Sequence, residues 1–432
     1  MTAILDAARA ARASVDAGRC AALTAAMVQC DTRNPPGDES PVIPLLVDVL
    51  RGLGAEPEIF EPAPGRTSLL ATVPADSSVF TGPPAAAQLR PTLLVNGHLD
   101  VVPLVEADWT VPPFGGVVRD GRLYGRGACD MKGGIAAAIE GLRGCVDAGV
   151  RPACDLTFHL VADEETGGRW GTEALLHSGR IQADAAIVPE PSELGICVAE
   201  RGALLAEITV TGRAAHGSDP ARGRSAIADA ARLVLALQEA DFGDRAHPLL
   251  GSPTCNVGTI AGGTAPNIVA SSAVLRVDRR LLPGQTRQQA LATLRAVLDR
   301  AAPDVDYRLE VLAFVEASEL AAEHPFVDVL RAACAPAQSS MQSSMQSSMQ
   351  RSMQRSMQSS MQSPVRGLYL GTDARFLRNQ LGIPTVVYGP GSMTVAHTAD
   401  EYVPLAELTE AAASFASVYA SFDASFTDPD MA

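Results

Sequence analysis

Four short apolar runs, each breaking off into a polar cluster, constrain this 432-residue chain more than anything else in it. They are TLLVNGHLD (92–100), LTFHLVADEE (156–165), AAIVPEPS (185–192) and PTVVYGPG (384–391), the last followed by AHTADEYVP. Helix-like stretches lie between them, among them 134–150 and 169–178. Strands alternating with helices predict a parallel sheet, and such sheets bind ligands beyond the carboxyl ends of their strands. Every polar cluster here follows its strand, so all four are expected to meet along one edge. The expected class is α/β, with a mainly parallel sheet carrying the site.

The middle of the chain follows another pattern. LLAEITVTG (204–212) alternates apolar residues with others, then come a helical stretch (224–240), NVGTIAGG (256–263), SSAVLRVDRR (271–280), a second helical stretch (285–301) and DYRLEVLAFVE (306–316). Strand–helix–strand–strand–helix–strand predicts an α+β sandwich on a largely antiparallel sheet. It interrupts the first domain between its third and fourth clusters. The domains are therefore read as 1–200 with 315–432, and an inserted 201–314.

Two stretches stand outside this plan. PADSSVFTGPPAAAQLR (74–90) reads as a surface loop, and 339–362 is six tetrapeptides, SSMQ or RSMQ. A period of four overshoots the helical 3.6, so each methionine advances by roughly 40° per repeat and no apolar stripe forms. The tract is expected to be an exposed, dispensable low-complexity insertion.

A formal charge of −15 argues against nucleic acid or an anionic membrane as partner. The eight cysteines include no C-x-x-C pair, which favours reduced thiols in a cytoplasmic protein. MTAILDAARAARASVDAGR carries acids early and reads as a first helix rather than a signal peptide.

The polar clusters supply metal-binding residues in a countable set. His98 and Asp100 are two apart, on one face of an extended chain. Asp130 sits in the glycine-rich GRGACDMKGG before a helix; Glu190 is in PEPS and His397 in AHTADE. Each has an ordinary alternative, such as an N-cap for Asp130, but together they demand unrelated accidents at several strand ends. A catalytic zinc takes about three protein ligands plus water. His98 and Glu190 would serve one ion, Glu165 and His397 a second, and Asp130 would bridge both. Two ions roughly 3.5–4 Å apart can clamp and deprotonate a shared water. Asp100 would orient the His98 imidazole. Glu164 remains over, and where a strand unwinds into a loop it would act as general base beside the metal-holding Glu165.

NGHLDVVP, GRGACDMKGG, DEETGG, EPS and HTADEYV together resemble the M20 metallopeptidases, which include acetylornithine deacetylase, succinyl-diaminopimelate desuccinylase, aminoacylase-1 and glutamate carboxypeptidase. The resemblance runs from NPPGDE (34–39) almost to the end. It implies a co-catalytic site of two Zn2+ per subunit, with Co2+ or Mn2+ as alternatives, held by His98, Asp130, Glu165, Glu190 and His397, with Glu164 as base. It also implies that the inserted domain is a dimerisation lid, making the protein a homodimer. In GRAAHGSDPARGRSAI the matching histidine is His216, which would stabilise the oxyanion in a neighbouring subunit's site. Asn267, Arg280, Gly371 and Thr372 match positions that contact the substrate carboxylate.

The expected activity is hydrolysis of an N-acyl amino acid through a metal-bridging hydroxide. A carboxypeptidase or dipeptidase acting on small peptides is the alternative, because both substrates present a carboxylate and a scissile amide. A non-catalytic binding homologue would be expected to lack a ligand or the base, and none is missing. A single-metal or thiol hydrolase would need H-E-x-x-H or a Cys–His arrangement, and neither is present.

Overall fold

The described residues of the computed structural model are 2–80, 90–242, 245–334 and 365–423. The tetrapeptide tract and residues 81–89 of the Pro/Ala loop lie outside them. The chain divides into two units, Met1–Val198 with Leu320–Arg366 and Thr372–Ala432, and Ala199–Glu319 with Gly367–Gly371.

In the first unit, Thr92–His98 lies between Asp155–Val161 and Ala185–Val188, parallel to both. Thr385–Val387 runs parallel to Ala185–Val188 on its other side and also touches Ile196–Glu200. Arg66–Val73 and Glu58–Ala63 continue the sheet antiparallel beyond Asp155–Val161. The four strands with the polar clusters are thus neighbours, and their runs are buried almost throughout. That is what a parallel sheet covered on both faces requires. Gly133–Asp147 packs against Leu405–Ser421, and Gly141 permits the approach: a Cβ there would sit 2.6 Å from Cβ of Phe415.

The helix expected at the N-terminus is two helices, Thr2–Ala13 and Ala17–Val28. Asp16 is extended rather than helical, and its side chain accepts from the Arg19 amide, so it starts a new helix instead of continuing the first. A small sheet pairs Tyr402–Pro404 with Arg122–Tyr124, and the latter with Val117–Arg119. It brings the segment after His397 alongside the one before Asp130.

The second unit has the strand order Thr254–Gly262, Ser272–Leu281, Gly202–Thr211, Asp306–Val315, antiparallel throughout. Ala226–Gln238 begins at a Ser225 cap, and Arg287–Ala301 at a Thr286/Gln289 capping box. The alternation read in 204–212 becomes alternate burial. Leu204, Ala206, Ile208 and Val210 face inward and share one core with Leu233 and Leu294 from the helices. Burying each such leucine or isoleucine stabilises by about 1.5–3 kcal/mol, which is what fixes the register.

Candidate metal centre

His98 closes its strand, Glu190 follows Ala185–Val188, and Glu164 and Glu165 lie in a short turn after Asp155–Val161. Asp163 adopts left-handed backbone (φ 70°), so strand alternation has ended before the two glutamates. Asp130 lies in the tight turn Ala128–Lys132, where the Asp130–Met131 peptide is cis. It does not cap the following helix, whose N-cap is Lys132. Gly134 lets that helix start against the Glu190 loop, since a Cβ would fall 1.8 Å from the Pro189 carbonyl.

The structure brings the five expected ligands together. His98 Nε2 is 3.0 Å from Asp130 Oδ1 and 3.5 Å from Glu190 Oε1. His397 Nε2 is 3.2 Å from both Asp130 Oδ2 and Glu165 Oε2. The two oxygens of Asp130 therefore face different histidines. Two three-donor sets result, His98–Asp130–Glu190 and Asp130–Glu165–His397, each with its donor atoms within 4.8 Å of one another.

The electrostatics suit divalent cations. Burial and the Asp130 charge push Glu190 up to about 8 and raise Glu165 as well. Against the cost of burial, contacts with His397 and His98 hold Asp130 below the carboxylate range. Hydrogen bonds to Asp130 and Glu165 lift His397 to about 10. Glu165 Oε1 is buried without a hydrogen-bond partner. Three acids and two imidazoles are thus crowded together with too little positive charge among them, and this N/O donor set fits zinc.

This arrangement sets the pH response of the metal-free protein. Glu190 and His397 start from ordinary values of 4.5 and 6.5, so both bind protons more tightly when folded. Stability from a raised pKa is complete below the unfolded value and is lost as pH rises through the folded one. The metal-free melting temperature is therefore expected to fall from pH 6.5 to 8, where the two windows overlap. Loading with zinc near neutral pH should release protons into weakly buffered solution. A metal-free melting temperature that rises over this range would contradict the arrangement.

Asp100 is fully buried. The His98 Nδ1–H donates to the Asp100 main-chain carbonyl at 2.9 Å, while the carboxylate oxygen lies 3.6 Å away. The carboxylate is otherwise engaged. It accepts from the amides of Glu164 (3.1 Å) and Glu165 (3.2 Å) and from Asn34 Nδ2 (2.8 Å). Asp100 thus fixes the first histidine through its main chain and the glutamate turn through its side chain.

Glu164 is not among the donors of the two sets, although its charge interacts with those of His98, Glu190 and Glu165. Its Oε1 lies 4.0 Å from Arg375 Nη1, and burial raises it well above the usual carboxylate range, against the pull of His98. Arg375 also donates to the carbonyls of Gly167 and Thr372, both at 2.9 Å. Thr372 is buried, and its hydroxyl accepts from the Ala374 amide. In the second unit, His216 is exposed with Nδ1 2.7 Å from Ser218 Oγ, and Gly217 donates to the Asn267 carbonyl at 2.7 Å. Arg280 pairs with Asp278 at 3.0 Å, and Gly371 abuts Val315 and the Arg201 carbonyl.

Four residues that hold this centre were not singled out from the sequence: Asn34, Arg126, Arg375 and Glu401. Asn34, Arg126 and Glu401 lie inside NPPGDE, GRGACDMKGG and HTADEYV, and Arg375 ends LGTDAR (370–375), which also holds Gly371 and Thr372, yet ligand counting has no place for them.

The model of Peptidase family M20/M25/M40 matches residues 94–421. The chain belongs to this family. An acetylornithine deacetylase from Myxococcus xanthus is 33% identical over 343 residues, 77% of this chain and 80% of that protein. Among solved structures, aminopeptidase PepT from Bacillus cereus superposes with TM-score 0.70 at 21% identity, covering 94% of this chain and 99% of that one. The M20 family metallo-carboxypeptidase Sso-CP2 from Sulfolobus solfataricus gives TM-score 0.70 at 17% identity, covering 92% and 98%. The M20 fold is thus that of this chain, a mainly parallel sheet with a separate antiparallel one. As an M20 enzyme it is a hydrolase of amide bonds.

Proposed function

We propose that this chain is a two-zinc amidohydrolase that releases an amino acid from its N-acyl derivative. The observation that carries the reading is the pair of three-donor sets sharing Asp130, with a separate carboxyl, Glu164, close enough to interact with His98, Glu190 and Glu165. The likeness to an acetylornithine deacetylase favours a deacylase over a peptidase.

His98, Asp130 and Glu190 would hold one cation, and Asp130, Glu165 and His397 the other. When bound, the cations supply Lewis-acid activation of water and of the amide carbonyl. Glu164 takes the proton of the attacking water on its carboxylate and passes it to the leaving nitrogen. His216 from a partner chain donates to the developing oxyanion. Asn267, Arg280, Gly371 and Thr372 receive the substrate carboxylate.

The homodimer is part of this reading, with 201–314 as its dimerisation lid. Two features of the second unit support it. Among the described residues, Thr254–Gly262 is an edge strand paired on one side only, and apolar Ile227, Leu235 and Ile260 stand exposed. A cytoplasmic setting accords with eight cysteines that form no disulfide, and no described helix is long and apolar enough to cross a membrane.

The test is turnover of the zinc-loaded protein on a panel of N-acyl amino acids and dipeptides. Cleavage of the acyl derivatives, lost on chelation and restored by zinc, is the expected result. Cleavage of dipeptides alone would make it a peptidase.

A further inference from the structure

We propose that Glu401 and Arg126 are a positioning pair for one of the two cation sites, Asp130–Glu165–His397, and support its affinity more than that of the other. Glu401 is fully buried, and its Oε1 accepts from the main-chain amides of Cys129 (2.9 Å) and Asp130 (3.1 Å). Its Oε2 accepts from Arg126 Nη1 at 2.5 Å, and Arg126 Nη2 donates to the His397 carbonyl at 3.4 Å. One buried ion pair therefore grips the main chain of two ligand-bearing segments. They meet because Tyr402–Pro404 pairs with Arg122–Tyr124, and the Gly125 amide continues that contact to the Glu401 carbonyl at 2.9 Å.

The grip matters unequally. The His397 side chain is 49% exposed, whereas those of Asp130 and Glu165 are 6% and 7% exposed. Its backbone is left-handed, with φ 62°. A ring so far into solvent has little packing to aim it, so its direction depends on how its main chain is held. His98, by contrast, is buried and held by the Asp100 carbonyl. Glu165 is anchored at its amide by Asp100. Loosening the Glu401–Arg126 pair leaves those anchors in place and releases Asp130 and His397 from their common support. Partners that orient metal ligands are typically worth about 10–100-fold in affinity.

The inference rests on the two-cation reading, and the experiment separates the two. Metal-free protein is titrated with zinc against a chromophoric chelator, and the wild type should show two binding constants. Glu401→Gln keeps the size but replaces an acceptor oxygen with an amide N–H2. It should weaken one constant by about 10–100-fold and the other clearly less, because Asp130 serves both sets whereas His397 serves one. Arg126→Lys, which keeps the charge and loses the fork, should weaken the same constant and carries the test if Glu401→Gln does not fold. In a His397→Ala background, Glu401→Gln should cost less at that site than it does in the wild type, since only the support reaching it through Asp130 is left to lose. Unchanged constants in the variants would overturn the pair. So would equal weakening of both sites with a lower metal-free melting temperature, which marks general loosening. A wild type that binds a single ion would overturn the two-cation reading itself.

Discussion

Glu164→Gln is expected to cut turnover by about 10²–10⁴-fold, the usual cost of losing a general base, while zinc content stays near two per chain. The two neighbouring glutamates share a turn and an anchor, since both amides bond to Asp100, but their carboxyls diverge. Glu165 Oε2 faces His397 Nε2 at 3.2 Å, so Glu165→Gln should lower metal content before anything else. Glu164 faces Arg375 at 4.0 Å and is not one of the six donors in the two sets. Metal analysis and turnover on the same samples decide the matter. If Glu164→Gln lost zinc and Glu165→Gln kept it, the roles would be exchanged.

Mixing two inactive variants should restore activity. If His216 serves the partner's site, each site combines Glu164 of one chain with His216 of the other. Homodimers of Glu164→Ala and of His216→Ala should then both be nearly inactive. Unfolded and refolded together in equal amounts, half the dimers are mixed, and each mixed dimer has one site with both residues intact. Recovered activity should approach roughly a quarter of wild type under closed two-fold symmetry. The exposed position of His216 and its bond to Ser218 leave the ring accessible for such a task. Mixed dimers verified by mass but without recovered activity would place His216 in its own chain's site, or outside catalysis.

The acids and histidines of the site were legible because parallel strands leave their polar ends at one edge, and each end carries its own local signature. His98, Glu165, Glu190 and His397 each follow a readable run, and Asp130 precedes a readable helix. The split between Glu164 and Glu165 was legible only as a question, because left-handed Asp163, which ends the strand geometry, resembles any other loop aspartate. What the sequence did not reveal are partners joined across long separations. Nothing in HTADEYV shows that Glu401 will collect the amides of Cys129 and Asp130, some 270 residues earlier, since only the pairing of two three-residue strands brings them together. The helix break at Asp16 was missed for a local reason: the apolar spacing continues through it, and a capping aspartate looks like any polar residue on an exposed face. That Asp100 lies beside His98 was legible from their spacing, but not that its main-chain carbonyl would take the ring N–H while its carboxylate collects two amides of the glutamate turn.

Thr385–Val387 occupies a slot in the sheet beside Ala185–Val188, a strand made some two hundred residues earlier. During synthesis, everything up to that earlier strand can leave the ribosome while its neighbour is still untranslated. The nascent chain must then wait with one long side of an apolar strand uncovered, the kind of edge that invites pairing with another chain. His397 follows that late strand, so no partial product can gather all five ligands. The Asp130–Glu165–His397 set can therefore assemble only after that late strand is made, whereas His98, Asp130 and Glu190 are all translated some two hundred residues earlier.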